Sequence, residues 1–395
     1  MHSPRVAVLV ETSTSWGQQV VKGIVTYVRS SRPWIFLVDW RGVHEQLHLP
    51  RDWSGDGIIA RITTRSLNRQ IEALGIPAVN VSWCTVPGTT LQQVVTDEQL
   101  IGELAVSHFW ERGFRHFAYY GHPQQPNYVD GYGPIFVRLV AEHGYECKCF
   151  HPHVSAKVVR SRRPGLNELT RWLVRLPKPI AVLTWDAVRG RQVTEACWKA
   201  GIHVPEEVAV LAGYNDDLMC DISMPPLSSI NDRPDQVGYA AAQLLDEMMR
   251  GRRPPNKPIY LPPSGVVVRQ STDVLAIEDP DISQVVRFIR GHACEGIQVD
   301  DILRAVPMSR SVLEYRFKRI LGYSPHHEIQ RVQFQRVLQL LQETKLSIAA
   351  IAERSGFRYT EYMTKAFKKR FKITPRQYRK THHSRAQDSA LQAIR

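Results

Sequence analysis

Three polar segments carry side chains that could bind a polyhydroxylated ligand. Planar carboxylate and amide groups can bind pairs of neighbouring hydroxyls, and an indole ring can pack against the C–H face of a sugar ring. Together the three segments favour a neutral polyol held between two lobes. The candidate residues are Glu11, Ser13 and Trp16 of ETSTSWG, Trp185 and Asp186 of TWD, and Asn215 and Asp216 of GYNDD.

Most of these residues also have a purely structural interpretation. Asp186 and Asp216 could cap helices or form turns instead of contacting a ligand. Trp16 and Trp185 could be partly buried packing residues. Asn215 is the residue that we most expect to contact a ligand.

The first 270 residues contain the elements that would position these segments. Short apolar runs such as VAVLV (6–10), IAVLTW (180–185) and VAVLAG (208–213) alternate with helical patterns. Such runs are typical of strands buried on both faces, and helices between them imply parallel crossovers. Binding loops follow the carboxyl ends of parallel strands, which is where the polar segments stand. We therefore predict an α/β domain with material for two lobes, in which Asp97 is a hinge or cap residue.

The positive charge of the chain is concentrated at its C-terminal end. The 395 residues carry a formal net charge of +13. Residues 281–395 contain 22 Lys and Arg against 10 Asp and Glu, a net charge of +12, and residues 1–280 contain 29 against 28, a net charge of +1. A basic domain beside a nearly neutral one is typical of a protein in which one domain meets a polyanion. A solvated basic surface is the alternative.

The class of secondary structure changes near residue 280. The segment STDVLAIEDPDISQ (271–284) is polar and acidic without a sustained period, and the patterns that follow it are helical. We predict a ligand-sensing domain over residues 1–275, a linker over 276–284, an all-α domain over 285–382 and a disordered tail over 383–395.

Two stretches of the all-α domain repeat one pattern 50 residues apart. Phe317 in MSRSVLEYRFKRILGYSP matches Phe367 in YTEYMTKAFKKRFKITP. Each stretch is preceded by a short apolar helix and a tight turn, at Pro307 or Gly356, and itself contains a second helix, which predicts two helix-turn-helix units. The inward stripes of the second helices are Leu313, Phe317 and Ile320, and Met363, Phe367 and Phe371.

The exposed faces of the two second helices suit DNA contacts. Polar and charged side chains in the first turn can reach base edges, and lysines further along can neutralise phosphates. In the first unit the candidates are Ser309, Arg310, Ser311, Glu314 and Tyr315. In the second unit they are Thr360, Glu361, Lys365, Lys368 and Lys369.

Several other classes of protein lack the residues they would need. The α/β domain contains no GxGxxG, P-loop, GxSxG or HExxH motif, so an enzyme is a weak alternative. The six cysteines fit neither a disulfide framework nor a CxxC zinc pattern, and we expect no metal and no cofactor. The apolar region after MHSP is too short for a signal peptide, and no stretch is apolar enough to span a bilayer. We therefore expect a cytoplasmic protein that is not an enzyme.

Residues 285–380 resemble the DNA-binding module of the AraC/XylS transcription regulators. The resemblance lies in SIAAIAERSGF (347–357), FKKRFKITPRQYR (367–379) and RVQFQRVLQLL (331–341). It implies that both recognition helices enter successive major grooves on one face of the duplex, about 34 Å apart. The second unit has YTEYMTKAF (359–367) where the family more often has Gln or Ser around an aromatic pair, a difference that concerns the target sequence and not the binding mode.

The first 270 residues resemble the ligand-binding core shared by LacI/GalR repressors and periplasmic sugar-binding proteins. The resemblance lies in residues 94–121, 184–217 and 225–245, which together cover most of the domain. In the repressors the DNA-binding headpiece precedes the sensor, whereas here the DNA module follows it. A sugar sensor followed by an AraC-type module is similar to one narrower group, the xylose operon regulators.

The resemblance implies a homodimeric activator of sugar catabolism that binds D-xylose or a related pentose, with RNA polymerase as a further partner. An AraC-type regulator of another sugar or small polar ligand is the alternative. Sugar-binding relatives place an Arg in the helix after HFAYYG (116–121), yet the first Arg here is Arg138. Either Tyr128 or Asp130 would substitute, or the ligand is held differently. The missing Arg argues against an anionic ligand.

Overall fold

The computed structural model describes residues 3–38, 47–50, 53–84, 86–122, 130–152, 166–274, 276–277 and 279–379. They belong to two compact units, Met1–Ala276 and Ile277–Arg395. Among these residues no helix combines the length and the apolar character needed to cross a bilayer. Tyr128 and the predicted tail at 383–395 lie outside the described residues.

The strands described in the first unit form two six-stranded sheets, one in each of two lobes. They are β1 (Arg5–Leu9), β2 (Ile35–Val38), β3 (Gly57–Ala60), β4 (Ala78–Asn80), β5 (Gln92–Thr96), β6 (Phe117–Tyr120), β7 (Cys147–Phe150), β8 (Ile180–Thr184), β9 (Val208–Ala212), β10 (Ser228–Ile230), β11 (Ile259–Leu261) and β12 (Val266–Val267). The order is β11-β5-β4-β3-β1-β2 in the first lobe and β12-β10-β9-β8-β6-β7 in the second. Neighbouring strands are parallel except for β10 and β12.

Helices cover both faces of each sheet, which is why the central strands β1, β3, β8 and β9 are buried almost throughout. Alternate residues of β9 enter opposite cores: Val210 packs on one side of the second sheet and Leu211 on the other. The helices of this unit are α1 (Ser15–Ser30), α2 (Arg65–Glu72), α3 (Glu98–Trp110), α4 (Tyr132–Glu142), α5 (Leu166–Arg175), α6 (Ala187–Ala200), α7 (Asp217–Asp221) and α8 (Pro234–Met249). The predicted two-lobed α/β architecture is confirmed.

The chain passes between the lobes three times, after β5, after β10 and after β11. These crossing segments are hydrogen-bonded to one another. The Thr96 hydroxyl donates to the carbonyl oxygen of Asp232 at 2.8 Å, and the backbone nitrogen of Asp97 donates to the carbonyl oxygen of Leu261 at 2.8 Å. The Asp97 carboxylate also caps α3 by accepting from the backbone nitrogen of Gln99 at 2.9 Å. The prediction that Asp97 is a hinge or cap residue is confirmed.

Helices α1 and α8 pack so closely that two glycines are required at their contact. A Cβ atom on Gly23 would lie 1.9 Å from the carbonyl oxygen of Asp235. A Cβ atom on Gly238 would lie 2.0 Å from the carbonyl oxygen of Val20. This contact joins the first helix of the unit to its last and completes the first lobe.

The helices described in the second unit begin earlier than the sequence predicts. They are α9 (Pro280–His292), α10 (Val299–Ala305), α11 (Arg310–Leu321), α12 (Pro325–Glu343), α13 (Ile348–Arg354) and α14 (Thr360–Phe371), with a 3-10 turn at Ala293–Glu295. The predicted linker over 276–284 is therefore too long. The Asp279 carboxylate accepts from the backbone nitrogen of Ile282 at 3.2 Å, and Pro280 occupies the first helical position, which together start α9.

The two predicted helix-turn-helix units are α10 with α11 and α13 with α14, and α12 joins them. Most of the predicted inward stripes are buried because each second helix packs its apolar face on its own unit. The fully buried members are Leu313, Phe317, Met363 and Phe367. Ile320 and Phe371 remain partly exposed.

The Gly238→Ala variant is expected to destabilise the first unit, because the added methyl group would overlap the Val20 carbonyl and force α1 and α8 apart. We expect a loss of about 1–3 kcal/mol, as at other overpacked positions, measured by chemical denaturation. Gly291→Ala on α9 is the control, since a Cβ atom there meets nothing within 4 Å and the helix should gain up to about 1 kcal/mol. Equal stability of wild type and the Gly238 variant would contradict the close contact.

Candidate functional site

The first lobe contributes a buried ion pair to the cleft between the lobes. Glu11 follows β1, and Arg61 follows β3, so both lie at the carboxyl end of the first sheet. The Arg61 Nη1 atom lies 2.8 Å from Oε1 of Glu11, and both side chains are buried. The guanidinium carbon of Arg61 lies 4.6 Å from the ring centre of Trp83 and 5.6 Å from that of Trp16. The cationic group is thus held between two indoles and a carboxylate.

Aromatic rings from both lobes meet across the cleft. Trp83 of the first lobe lies 6.2 Å from Trp185 and 5.7 Å from Tyr214 of the second lobe, between ring centres. Trp16 packs edge-on against Trp83 at 5.7 Å. The two tryptophans predicted from sequence therefore belong to one cluster, with Trp83 between them.

The aromatic cluster leaves a cavity of about 10 Å³, which is room for about one water molecule. Its walls come from both lobes and from the crossing segments. The lining residues are Trp16, Val81, Trp83, Val95, Thr96, Glu98, Tyr214, Asp232 and Val237.

Two buried carboxyl groups in this cavity have oxygens without a partner. Neither carboxyl oxygen of Asp232, nor Oε1 of Glu98, has a hydrogen-bond partner within the described part of the chain. Burial raises the pKa of Asp232 to about 7. Burial, with the nearby charge of Asp130, raises the pKa of Glu98 to about 7. Both groups are therefore poised to exchange hydrogen bonds with a ligand or to hold a proton.

Two predicted carboxylates of the second lobe cap helices. Asp186 accepts from the backbone nitrogen of Arg189 at 2.8 Å at the start of α6, and its other oxygen pairs with the Arg189 guanidinium at 2.7 Å. Asp216 accepts from the backbone nitrogen of Met219 at 3.1 Å at the start of α7. The helix-cap interpretation of both residues is confirmed, because these hydrogen bonds engage the carboxylates at the helix termini.

The other predicted ligand contacts lie around the cavity and not in its wall. Asn215 accepts from the Ser229 hydroxyl at 2.6 Å and donates to Asp217 at 3.0 Å. Asp130 accepts from the Tyr119 hydroxyl at 2.6 Å. Ser13 is exposed in the loop before α1. The cavity has none of these three in its lining, and their contact with a ligand stays a prediction.

The helix after HFAYYG has no arginine before Arg138, and the arginines near the site come from other elements. Arg138 is half exposed and pairs with Glu142, but two other guanidinium groups reach the cleft from different elements. Arg61 follows β3, and Arg189 stands in the first turn of α6 with its guanidinium carbon 5.1 Å from the ring centre of Trp185. Each pairs with a carboxylate, Glu11 for Arg61 and Asp186 for Arg189.

Several residues of the cleft were not predicted from the sequence. Arg61, Trp83 and Asp232 each follow a strand, so the rule used for the three polar segments would have found them if applied to every strand end. Glu98 stands in the first turn of a helix beside Asp97. Acidic residues are common at helix N termini, so the sequence gives no sign that Glu98 lines a cavity. Tyr214 lies within the GYNDD segment itself.

The predicted DNA-contacting residues lie on the surface of the two second helices. On α11 they are Ser309, Arg310, Ser311, Glu314 and Tyr315, all exposed. On α14 they are Glu361, Lys365, Lys368 and Lys369, all exposed, and Thr360, which is partly exposed. Arg310 makes only exposed ion pairs, at 3.2 Å with Asp300 and 3.7 Å with Glu314, which exchange for other partners at little cost.

Arg316 marks the opposite face of α11, where the helix is tied to its own unit. Its guanidinium lies 2.5 Å from Asp279 and 2.9 Å from Asp281. Although burial opposes the shift, hydrogen bonds from Arg316 hold the pKa of Asp279 below its usual value. Arg316 therefore fixes the orientation of α11 and leaves the face that carries Arg310 available to a partner.

The raised pKa of Asp232 predicts that the first unit loses stability as pH rises through about 7. A carboxyl whose folded-state pKa exceeds its unfolded value stabilises the fold below the unfolded pKa, and that contribution is lost as pH rises through the folded pKa. Between about pH 6 and pH 8, Asp232→Asn should therefore gain about 1.4 kcal/mol on wild type, or a few °C of melting temperature.

Thermal melts at the two pH values measure this difference. Burial lowers the pKa of His108 to about 3, so this side chain is neutral in the folded unit between pH 6 and pH 8. The effect of His108 on stability therefore belongs to lower pH. A constant difference between the Asp232 variant and wild type would contradict the prediction. Asp216→Asn, at a partly exposed helix cap outside the cavity, serves as the control.

Comparison with known proteins divides the chain into the same two domains as the structure does. Residues 106–272 match the model of a periplasmic binding protein-like domain, and residues 302–381 match that of a helix-turn-helix domain. The xylose operon regulatory protein of Escherichia coli K12 is 31% identical over 95% of this chain and 96% of its own length. That of Haemophilus influenzae is 30% identical, over 95% of this chain and 98% of its own.

Solved structures agree in fold. The structure of a xylose-binding transcription activator, XylR, has a TM-score of 0.78 and 29% identity, and the match covers 96% of this chain and 99% of that one. A LacI family regulator from Enterococcus faecium with bound ribose has a TM-score of 0.54 and 16% identity over 69% of this chain, which shows the shared fold of the first unit. The chain belongs to the family of xylose operon regulatory proteins, which are DNA-binding transcription regulators and not enzymes.

Proposed function

We propose that the first unit binds D-xylose, or a closely related pentose, between its lobes, and that binding controls transcription through the second unit. The observation that carries this proposal is the pair of buried carboxyls with unpartnered oxygens, Asp232 and Glu98, in a cavity walled by aromatic rings. A buried acceptor without a partner is costly, and ligand hydroxyls would supply the missing hydrogen bonds. Trp16, Trp83 and Tyr214 would pack against the C–H groups of the sugar.

The charges of the cleft support a neutral ligand. Both guanidinium groups described there are paired with carboxylates, Arg61 with Glu11 and Arg189 with Asp186. Binding a phosphate or a carboxylate would require one of these pairs to break. Asp232 and Glu98 add acceptors that repel an anion when they ionise. A polyol with several hydroxyls fits this set of groups better than a charged metabolite does.

The closed cavity implies that the ligand binds a rearranged cleft. A volume of about 10 Å³ is far below the roughly 300–1,000 Å³ of usual ligand pockets. The rings that meet across the cleft, Trp83 with Trp185 and Tyr214, would separate to admit a pentose. Sugar would then stabilise an arrangement of the lobes different from the one described, which is how a ligand shifts a conformational equilibrium.

The finer parts of the proposal rest on family membership. The XylR relative is named a xylose-binding transcription activator, which supports D-xylose as the effector and activation as the outcome. A cytoplasmic homodimer that places two second units on DNA, with RNA polymerase as a further partner, would give the sugar-dependent switch. Another sugar or small polar ligand would use the same cavity.

Calorimetric titration of the whole chain with D-xylose should give saturable heat, accompanied by a change in tryptophan fluorescence from the Trp16, Trp83 and Trp185 cluster. Asp232→Ala should weaken binding by about 5- to 150-fold, the equivalent of about 1–3 kcal/mol for a lost buried partner. Asp216→Ala removes a helix cap outside the cavity and should leave xylose affinity unchanged. No heat with xylose, but clear binding of a sugar phosphate or an amino acid, would contradict the proposed ligand.

In the second unit, we propose that α11 and α14 enter successive major grooves. Exposed polar groups at the start of each helix would contact base edges, and Lys368 and Lys369 would contact phosphates. The excess positive charge of residues 281–395 supports binding to a polyanion.

Arg310→Ala and Lys369→Ala should have different effects on DNA binding. If Arg310 contacts a base, its removal should relax the preference at one operator position at a cost of about 1–3 kcal/mol, whereas removal of Lys369 should weaken all sequences alike and reduce the salt slope by about one unit. Gel-shift titrations over single-base operator variants at several salt concentrations measure both effects. Identical behaviour of the two variants on every operator would overturn the assignment.

A further inference from the structure

We count α9 and the 3-10 turn after it with the first helix-turn-helix unit, because Arg316 of α11 pairs with Asp279 and Asp281 at the start of α9. The backbone of this 3-10 turn contacts the backbone of the turn in the second helix-turn-helix unit. Gly356, in the turn between α13 and α14, has φ of +77° and lies against the 3-10 turn that follows α9. A Cβ atom on Gly356 would lie 2.5 Å from the carbonyl oxygen of Ala293 and 2.8 Å from the carbonyl carbon of Cys294. No side chain separates the two turns there, so any change in the angle between the units must move backbone against backbone.

One buried side chain of the joining helix bonds to both turns. The Nε2 atom of Gln333, on α12, donates to the carbonyl oxygen of Ala293 at 3.0 Å and to that of Gly356 at 3.0 Å. Gln333 is only 6% exposed. A primary amide has two N–H donors on one nitrogen, so both are used, one for each unit. We call these three residues, Ala293, Gln333 and Gly356, the joint.

The joint differs from other polar links in this unit. Gln330, one turn before Gln333 on α12, donates to the Tyr362 hydroxyl at 2.9 Å, but that contact is exposed and water competes for it. Arg316 with Asp279 and Asp281 ties α11 to α9 within the first helix-turn-helix unit alone. Within the described residues, the single amide nitrogen of Gln333 donates a hydrogen bond to a backbone carbonyl of each helix-turn-helix unit.

We propose that Gln333 is a positioning residue for DNA recognition, which fixes the separation of the two helix-turn-helix units and so sets the spacing between the base clusters that α11 and α14 contact. This inference rests on the proposed placement of both helices in successive major grooves. Each base pair adds about 3.4 Å of rise, and about ten base pairs complete a turn of the duplex. Two rigidly coupled helices can therefore match only one spacing between the base clusters. At a spacing one base pair longer or shorter, they must strain the DNA or lose contacts.

Loss of the amide would loosen this match. Gln333→Met keeps the length and approximate volume of the side chain but removes both N–H donors. The carbonyl oxygens of Ala293 and Gly356 then lose the hydrogen bonds that Gln333 donates. Gln333→Glu keeps the shape and places acceptor oxygens against the same carbonyls. Both changes favour a joint that opens or turns, and both leave the surfaces of α11 and α14 unaltered. Gln339→Met, at an exposed position of the same helix, is the matched control.

The test measures spacing preference and not affinity alone. Duplexes are selected from a randomised library with the unmodified full-length chain, and one base pair is then inserted or deleted between the two contacted clusters. Wild type and Gln339→Met should lose at least tenfold in affinity on the altered duplexes. Gln333→Met and Gln333→Glu should lose less than about threefold between the selected and altered duplexes, with the helical circular dichroism of wild type.

The outcomes separate this inference from the proposal on which it rests. Wild type that binds all spacings equally would show that the two-groove placement is wrong, and the inference would fall with it. Wild type with a strict spacing, together with Gln333 variants that fold and keep the same strictness, would overturn only the role of Gln333. Gln333→Asn, which retains an amide too short to span both carbonyls, replaces the Met and Glu variants if these do not fold. Loss of folding in all three would also overturn the role, because the amide would then serve folding and not spacing.

Discussion

A carboxyl group buried without a hydrogen-bond partner is costly, and the first unit keeps such groups at the point where its lobes meet. Asp232 stands in a segment that crosses between the lobes, and Glu98 begins the helix after another crossing. Their burial raises the pKa of each carboxyl to about 7, so the cost is met partly by holding a proton. The aromatic rings leave the cavity room for about one water molecule only, which maintains both the cost and the readiness to accept ligand hydroxyls.

Charges elsewhere in the cleft are arranged so that they do not relieve this cost. The guanidinium of Arg61 lies between two indoles and pairs with Glu11, and that of Arg189 pairs with the carboxylate that caps α6. Each cation is committed to a partner close in the fold. The second unit uses charge in the opposite way, because its basic side chains on α11 and α14 are exposed and their ion pairs are weak. One unit suits a neutral ligand and the other a polyanion.

Local sequence patterns predicted the elements better than the site. Both the two-lobed α/β fold and the two helix-turn-helix units follow from periodicity and from the 50-residue repeat, since burial on a fixed face leaves a local trace. The sequence leaves open whether Asp186 and Asp216 contact a ligand or cap helices, and the structure shows that both cap helices. Trp83 and Asp232 also follow strands, but that position alone does not show that they meet, because the strands and crossings that bring them together are distant in sequence. Likewise, the contact of Gln333 with two turns is set by tertiary packing, and a buried Gln on a helix looks like any other polar residue.

The contact of α1 with α8 has a consequence for how the chain is made. The first lobe consists of two separate stretches of sequence, and Gly238 of α8 must meet Val20 of α1 before its core is closed. A ribosome synthesising the chain has to make β6 to β10 of the second lobe before it supplies α8 and β11 of the first. The early strands β1 to β5 therefore keep an unfinished apolar face while about a third of the chain is translated, so closure of the first lobe depends on prior synthesis of most of the second.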